Sequence, residues 1–269
     1  SFFNLNLKKM KSSVLLITLF IFQISFAQKT IEIEYQSIIR SDSIHINWQA
    51  TYQLQINTHY SIYFKNTTLK NDKENSENSI IFKPKNSSKN NDFLFKDYKK
   101  NEMISKDLIS FRFKFIKDSI NNFNWQIKKD TITILGYKCN LAETNFRGRN
   151  YKVWFASDLQ AGGPWKLDGL PGMILKADTT DGYYSVEASS LKINTTENIN
   201  DYGNPFADEK EFYSWVEFKN LYKEKAINVS KYNNTNTLIT TPKIRLERYI
   251  EEDDPDYNVK KIITNIRKN

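Results

Sequence analysis

The chain has 269 residues, a formal charge of +8, 39% apolar residues, two histidines and one cysteine. So few histidines and cysteines argue against a zinc site and against an intrachain disulfide framework. The lysines are scattered among Asn and Ile with no dense basic cluster, which argues against a nucleic-acid partner.

The N-terminus reads as an address. Lys8, Lys9 and Lys11 precede an apolar run from Val14 to Phe26, and Ser25-Phe26-Ala27 puts small residues where a signal peptidase reads. The run is about 13 residues, short of the ~20 that span a bilayer. Residues 1–27 are therefore expected to be upstream residues plus a cleavable signal peptide, with Gln28 as the mature N-terminus and no membrane-spanning segment after cleavage. Removing the three lysines lowers the charge from +8 to +5.

The mature chain opens with period-2 apolar spacing. Ile31, Ile33 and Tyr35 alternate with Glu32 and Glu34. The pattern returns at Ile44, Ile46, Trp48, Ala50, Tyr52, Leu54 and Ile56, and again at Tyr60, Ile62 and Phe64. Such alternation predicts antiparallel strands with one wetted face. Residues 66–91 are rich in Asn, Lys and Ser and read as a mobile insertion within a single domain over 28–269, with "SIIFKP" as a short strand inside it. "DFLFKDY", "DLISFRFKFIKDSI", "FNWQIKKDTITILGYKCNLAETN" and "RNYKVWFASD" predict further strands, with Gly136 in a turn and Cys139 a small buried residue. Asp181-Gly182 predicts a hairpin. "ADEKEFYSWVEFKNLYKEKAI" has apolar residues near helical spacing, acids first and lysines last, and predicts a helix over 207–226. "IRLERYIEEDDPDYN" reads as a last strand followed by a solvated acidic turn.

The densest motif is "AGGPWKLDGLPGMILKAD". Pro171 and Gly172 carry the chemistry of a type II turn, and Leu170, preceding a proline, is pushed to an extended conformation. Gly169, Leu170, Pro171 and Gly172 are read as a structural corner that sends Leu170 inward. A strand follows, so a phosphate cradle does not fit. Arg147 and Arg149 flank Gly148 in a chain that otherwise favours lysine. They are expected either to pair with Asp158, Asp168 or Asp178 and stack on Trp154 or Trp165, or to clamp an anionic group. No nucleophile–base pair and no metal spacing emerges, so no catalytic residue, metal or cofactor is assigned.

The segment 125–180 resembles the GLPGLI family. Gly169-Leu170-Pro171-Gly172-Met173-Ile174 stands for the naming hexapeptide, with Trp125, Gly136-Tyr137-Lys138-Cys139, Phe146-Arg147-Gly148-Arg149, Trp154 and Gly163-Pro164-Trp165-Lys166 around it. The resemblance implies an exported protein of a Gram-negative bacterium, in the periplasm or cell envelope, and supplies no activity. The expected fold is α+β and mainly β: a curved antiparallel sheet or half-open β-barrel with the helix packed on it, similar to the open barrel of periplasmic lipoprotein carriers. The expected function is non-enzymatic binding on a concave, aromatic-rich sheet, with a lipid, a peptide or an envelope protein as partner. Arg147, Arg149, Trp154, Trp165 and Lys166 are the binding candidates. A hydrolase using carboxylates and a scaffold without a small ligand are the alternatives.

Overall fold

The computed structural model describes residues 30–41, 46–66, 93–110, 112–193, 204–232 and 246–250. The signal-peptide region, "SIIFKP", nearly all of the 66–91 insertion and the acidic stretch from Glu251 onward lie outside these residues.

The protein is mainly β. Its strands in chain order are β1 (Ile31–Ser41), β2 (Ile46–Ile56), β3 (Tyr60–Lys65), β4 (Phe93–Asp97), β5 (Glu102–Ile109), β6 (Arg112–Ser119), β7 (Gln126–Ile134), β8 (Tyr137–Phe146), β9 (Arg149–Ala156), β10 (Met173–Thr179), β11 (Tyr184–Ile193) and the short β12 (Phe212–Tyr213). Among the described residues one helix, α1, spans Trp215–Tyr232. The strands form one sheet in the order β12-β6-β5-β4-β3-β2-β1-β11-β10-β9-β8-β7. Every pair is antiparallel except β12 with β6.

This order forces curvature. β6 and β7 stand at opposite ends of the main sheet, ten strand spacings apart. In a flat sheet, spacings of ~4.8 Å would separate them by roughly 48 Å. Only residues 120–125 join them, and a chain of that length reaches roughly 25 Å fully extended. The sheet must therefore curl until its ends approach, leaving a seam between β6 and β7 with no hydrogen-bonded ladder.

Alternation along the strands divides the apolar residues between two faces. Ile33, Tyr35, Leu54, Tyr63, Leu94, Phe155 and Val186 join the concave core. On β3 and β4 the intervening residues are apolar too. Ile62, Phe64, Phe93 and Phe95 form a second cluster with Ile104, closed by Phe206. A strand buried on both faces loses its alternation, and β4 is buried throughout.

Several boundaries differ from the sequence expectation. "DLISFRFKFIKDSI" is a hairpin, with Ile109 paired to Arg112, rather than one strand. The helix begins at Trp215, not near residue 207, because Ser214 and Glu217 form a capping box. The Glu217 carboxylate accepts from the Ser214 amide and hydroxyl at 2.8 Å each, and the Ser214 hydroxyl accepts from the Glu217 amide at 3.3 Å. Phe212, assigned to the helix by spacing, lies in β12 opposite Phe115. The packed helical face is Trp215, Phe218, Leu221 and Tyr222, gathered around Tyr249, Ile109 and Ile116. Leu246–Ile250 is described but forms no strand.

Candidate functional site

The concavity is largely occupied by the chain itself. Residues 157–172 leave β9 and return into β10 across the concave core, where Leu159, Leu167 and Leu170 pack among the strand residues. Gly162 bridges to Met173 beside it, and the Ile174 amide donates to the Gly162 carbonyl at 2.9 Å. The hydrogen bond at the proline closes a three-residue turn, with the Gly172 amide donating to the Leu170 carbonyl at 2.8 Å. This differs from the type II turn that Pro-Gly suggested, because Gly172 has φ 156°, far from the ~80° that turn requires.

A buried ionic clamp holds this loop down. Lys96 of β4, 0% exposed, donates to Asp168 Oδ2 at 2.7 Å, the Leu167 carbonyl at 3.0 Å and the Gly163 carbonyl at 3.2 Å. Three donors meet three acceptors, which is what makes a buried ammonium tolerable. Burial lowers the Lys96 pKa, and Asp168 partly opposes that shift. Tyr98 also donates to Asp168, at 3.1 Å, and the Trp125 indole donates to the Asp168 carbonyl at 2.8 Å.

The seam is closed by a second ionic chain. Arg147-Gly148 is a two-residue hairpin loop with φ of 46° and 82° at the two positions, the pattern of a type I′ turn. It projects the Arg147 guanidinium between Asp118 of β6 and Glu247, with which it pairs on both sides. Lys166 completes the row, donating to the two Glu247 oxygens at 2.9 and 2.7 Å. The Arg147 guanidinium also lies 3.7 Å from the centroid of the Trp215 ring. Arg149 pairs with Asp181, donates to the Leu246 carbonyl at 3.1 Å and stacks 3.9 Å over Tyr183. Asp181 is destabilised as an anion by burial, but hydrogen bonds from Thr179 and the Tyr183 amide, together with Arg149, outweigh this and lower its pKa.

Both arginines thus have carboxylate partners, but neither pairs with Asp158, Asp168 or Asp178. Asp118 and Glu247 lie 29 and 100 residues from Arg147 in the chain, and no local spacing announces them. Trp154, on β9 opposite Lys176 and Leu141, is partly buried against the core. Trp165 stacks at 6.3 Å on Tyr151 and meets Phe146 edge-on. Lys96, Tyr98 and Tyr63 were not singled out by sequence reasoning. The available signal was a lysine in the inward phase of "DFLFKDY".

Beside the loop a pocket of about 280 Å³ remains. Trp165 and Lys166 line it on the loop side, Tyr52 and Tyr63 on the strand side, and Glu247 and Tyr249 beneath the helix. A more open groove of about 720 Å³ runs along the seam past Asn101, Asn122, Asn145, Arg147 and Trp215. Its aromatic platform is already covered by the Arg147 guanidinium. Among the described residues, no group of three His, Cys, Asp or Glu is placed to hold a metal. Cys139 is a free, buried thiol whose pKa burial raises. No described helix is long and apolar enough to cross a membrane.

Residues 98–219 match the family described as N-glycanase peptide, N-terminal domain. That span contains the whole 125–180 segment, and the match overturns the GLPGLI resemblance. Among the motifs that carried that resemblance are a two-residue hairpin loop at Arg147-Gly148 and the Gly169-Leu170-Pro171-Gly172 corner. Such motifs report backbone geometry, which different families use in common. Two solved structures of PNGF-II, in space groups C2 and P21, are 23% and 22% identical to this chain, cover 69% and 74% of it, and give TM-scores of 0.46 and 0.49. The chain spans about a third of their length, 31% and 34%. A putative outer membrane lipoprotein-sorting protein domain from Vibrio parahaemolyticus is 9% identical, covers 65% of this chain and 89% of its own, and has a TM-score of 0.21. No curated protein matches.

Proposed function

We propose that this chain is a non-enzymatic binding module of an exported protein, and that it holds one small ligand in the pocket between β2, β3, residues 165–166 and residues 246–249. The observation that carries the reading is the division of the concavity. Residues 157–172 fill most of it, and what they leave is a pocket of about 280 Å³ with aromatic walls. That is just below the usual range of ligand-site volumes, ~300–1,000 Å³. A small ligand therefore fits better than a lipid acyl chain.

The pairing of Arg147 and Arg149 with the chain's own carboxylates supports assigning them to seam closure rather than to ligand capture. Asp118 and Glu247 share Arg147, which supports a structural role for both and weakens the hydrolase alternative. The match to an N-terminal domain of an N-glycanase family supports a module that accompanies another domain or partner protein. The order of basic, apolar and small residues over 8–27 supports export to the periplasm or cell envelope.

The test is native mass spectrometry of the protein isolated from its own cell envelope, with N-terminal sequencing of the same sample. A stoichiometric adduct of a few hundred daltons on a chain beginning at Gln28 is expected. A copurifying phospholipid, or a chain that is always adduct-free and bound only to another protein, would refute the pocket assignment.

A further inference from the structure

Residues 246–250 are held the way a bound peptide is held. They form no strand. Their peptide groups meet the β8–β9 hairpin and β9, where the Arg248 amide donates to the Arg147 carbonyl at 3.0 Å and Arg149 Nε donates to the Leu246 carbonyl at 3.1 Å. The segment rests directly on the hairpin tip, since an added Cβ at Gly148 would lie 2.4 Å from the Arg248 Cδ.

Two side chains anchor it. Glu247, buried, sits between Arg147 and Lys166, and Lys166 donates to both its oxygens at 2.9 and 2.7 Å. Tyr249, also buried, enters an aromatic cage. Its ring centroid lies 5.5 Å from Trp215, 5.3 Å from Phe218 and 4.8 Å from Tyr222, edge-on to each. Its hydroxyl donates to Asp107. A carboxylate in a cationic slot and a tyrosine in a cage, two residues apart, make the anchor pattern by which short peptides are recognised. The cradle is assembled from β5, the β8–β9 hairpin, the interior loop and α1, and its charges are unbalanced without the segment. Arg147 retains Asp118 and Arg149 retains Asp181. Lys166 has Glu247 as its carboxylate partner, with both side chains buried. An emptied cradle therefore leaves a buried ammonium in need of a carboxylate.

We infer that this cradle is a peptide-recognition site occupied in cis by residues 246–250, and that the segment is a releasable strap. The chemistry it selects is a glutamate two residues ahead of a tyrosine, with an apolar residue before the glutamate. Release takes Leu246, Glu247 and Tyr249 out of the pocket wall, so the strap sets access to the pocket whatever ligand the pocket holds. Residues 233–245 tether the strap to α1. A tethered segment acts at an effective concentration on the order of 1 mM, which would weaken a free peptide of ~10 μM affinity about a hundredfold.

The probe is a fluorescein-labelled peptide of sequence Leu-Glu-Arg-Tyr-Ile, matching residues 246–250. Its binding is read by fluorescence anisotropy on the full chain, for wild type and for Glu247→Gln with Tyr249→Ala. The double variant, whose own strap has lost both anchors, is expected to bind the peptide saturably and at least tenfold more tightly than wild type. Peptides carrying Glu247→Gln or Tyr249→Ala should bind it at least tenfold more weakly than the parent peptide. Should the double variant lose its near-ultraviolet circular dichroism, Glu247→Gln alone takes its place. Amide hydrogen exchange gives a second reading on wild type, where residues 248–250 should exchange at least tenfold faster than β1 and β2. Equal peptide binding by wild type and a folded variant, or no binding by the variant, refutes the inference. Indifference to the glutamate and tyrosine of the peptide does the same. Protection of residues 248–250 equal to that of β1 and β2 also refutes it, because the strap would then open only when the whole fold does. None of these outcomes bears on the native mass that tests the pocket assignment.

Discussion

The loop that fills the concavity makes a quantitative demand on one glycine. At Gly172, φ is 156° and an added Cβ would lie 2.3 Å from the Ala156 carbonyl oxygen, 2.7 Å from its carbon and 2.9 Å from Ser157 Cα. All three neighbours are backbone, at the end of β9, and cannot rotate away. Gly136 provides the control. Its φ is 84°, but nothing lies within 4 Å of an added Cβ. Gly136→Ala therefore measures conformational strain alone, about 1–2 kcal/mol. Gly172→Ala adds an overlap that must shift β9 against β10, about 1–3 kcal/mol more, for a total of roughly 2–5 kcal/mol. At ~2–4 °C per kcal/mol for a domain of this size, Gly136→Ala should lower the melting temperature by about 2–8 °C and Gly172→Ala by about 4–20 °C. Differential scanning calorimetry on both variants and wild type reads this directly. If the two variants melt together, or Gly172→Ala melts within about 2 °C of wild type, the close approach of residue 172 to β9 is not the constraint claimed for it.

Lys96→Met leaves Asp168 buried beside two unpaired carbonyls and should cost about 3–5 kcal/mol in chemical denaturation. Lys96→Met with Asp168→Leu should recover part of that loss, and strictly additive single costs would count against the clamp. Arg147→Met leaves Asp118 and Glu247 without their shared cation, and amide hydrogen exchange should accelerate in residues 246–250 and the first turn of α1 more than in β1–β4. Asp181 has its folded pKa below the unfolded value, so its contribution is present above pH ~4 and fades as pH falls through the lower folded pKa. Asp181→Asn should therefore flatten the acid limb of the stability profile and leave its neutral-to-alkaline limb unchanged, as urea midpoints from pH 2 to 8 would show.

The sheet was legible because its information is local. Alternation through Ile31–Tyr35 and Ile46–Ile56 needs only neighbouring residues to be read, and so does the Asp181-Gly182 turn, where the Gly182 amide donates to the Thr179 carbonyl at 2.9 Å. The helix start was misplaced because Asp208 and Glu209 mimic an acidic first turn, whereas the Ser214–Glu217 box sets the boundary. The site was much less legible. Arg147 and Arg149 stood out by type, but their partners are set by how far the sheet curls. Curvature is a property of the strand order, which no single segment encodes. Tyr63 was hidden for a related reason. In "YSIYFK" it is one aromatic among several, and only the loop arriving from residues 157–172 turns its surroundings into a pocket.

The pocket and the seam share an atom group, and this links binding to closure. Glu247 is at once a wall of the pocket, the partner of Lys166 on the interior loop and the partner of Arg147 at the β8–β9 hairpin. Arg147 in turn reaches Asp118 on the opposite edge of the sheet. Opening the seam would separate these groups and dismantle the pocket, so a ligand held there favours the closed sheet by mass action. At a hundredfold excess over its dissociation constant it would add about 2.7 kcal/mol to stability, comparable with the cost of removing one hydrogen-bonded charge. The Lys166–Glu247 pair that walls the pocket is therefore also the pair through which a ligand held there would tighten the fold.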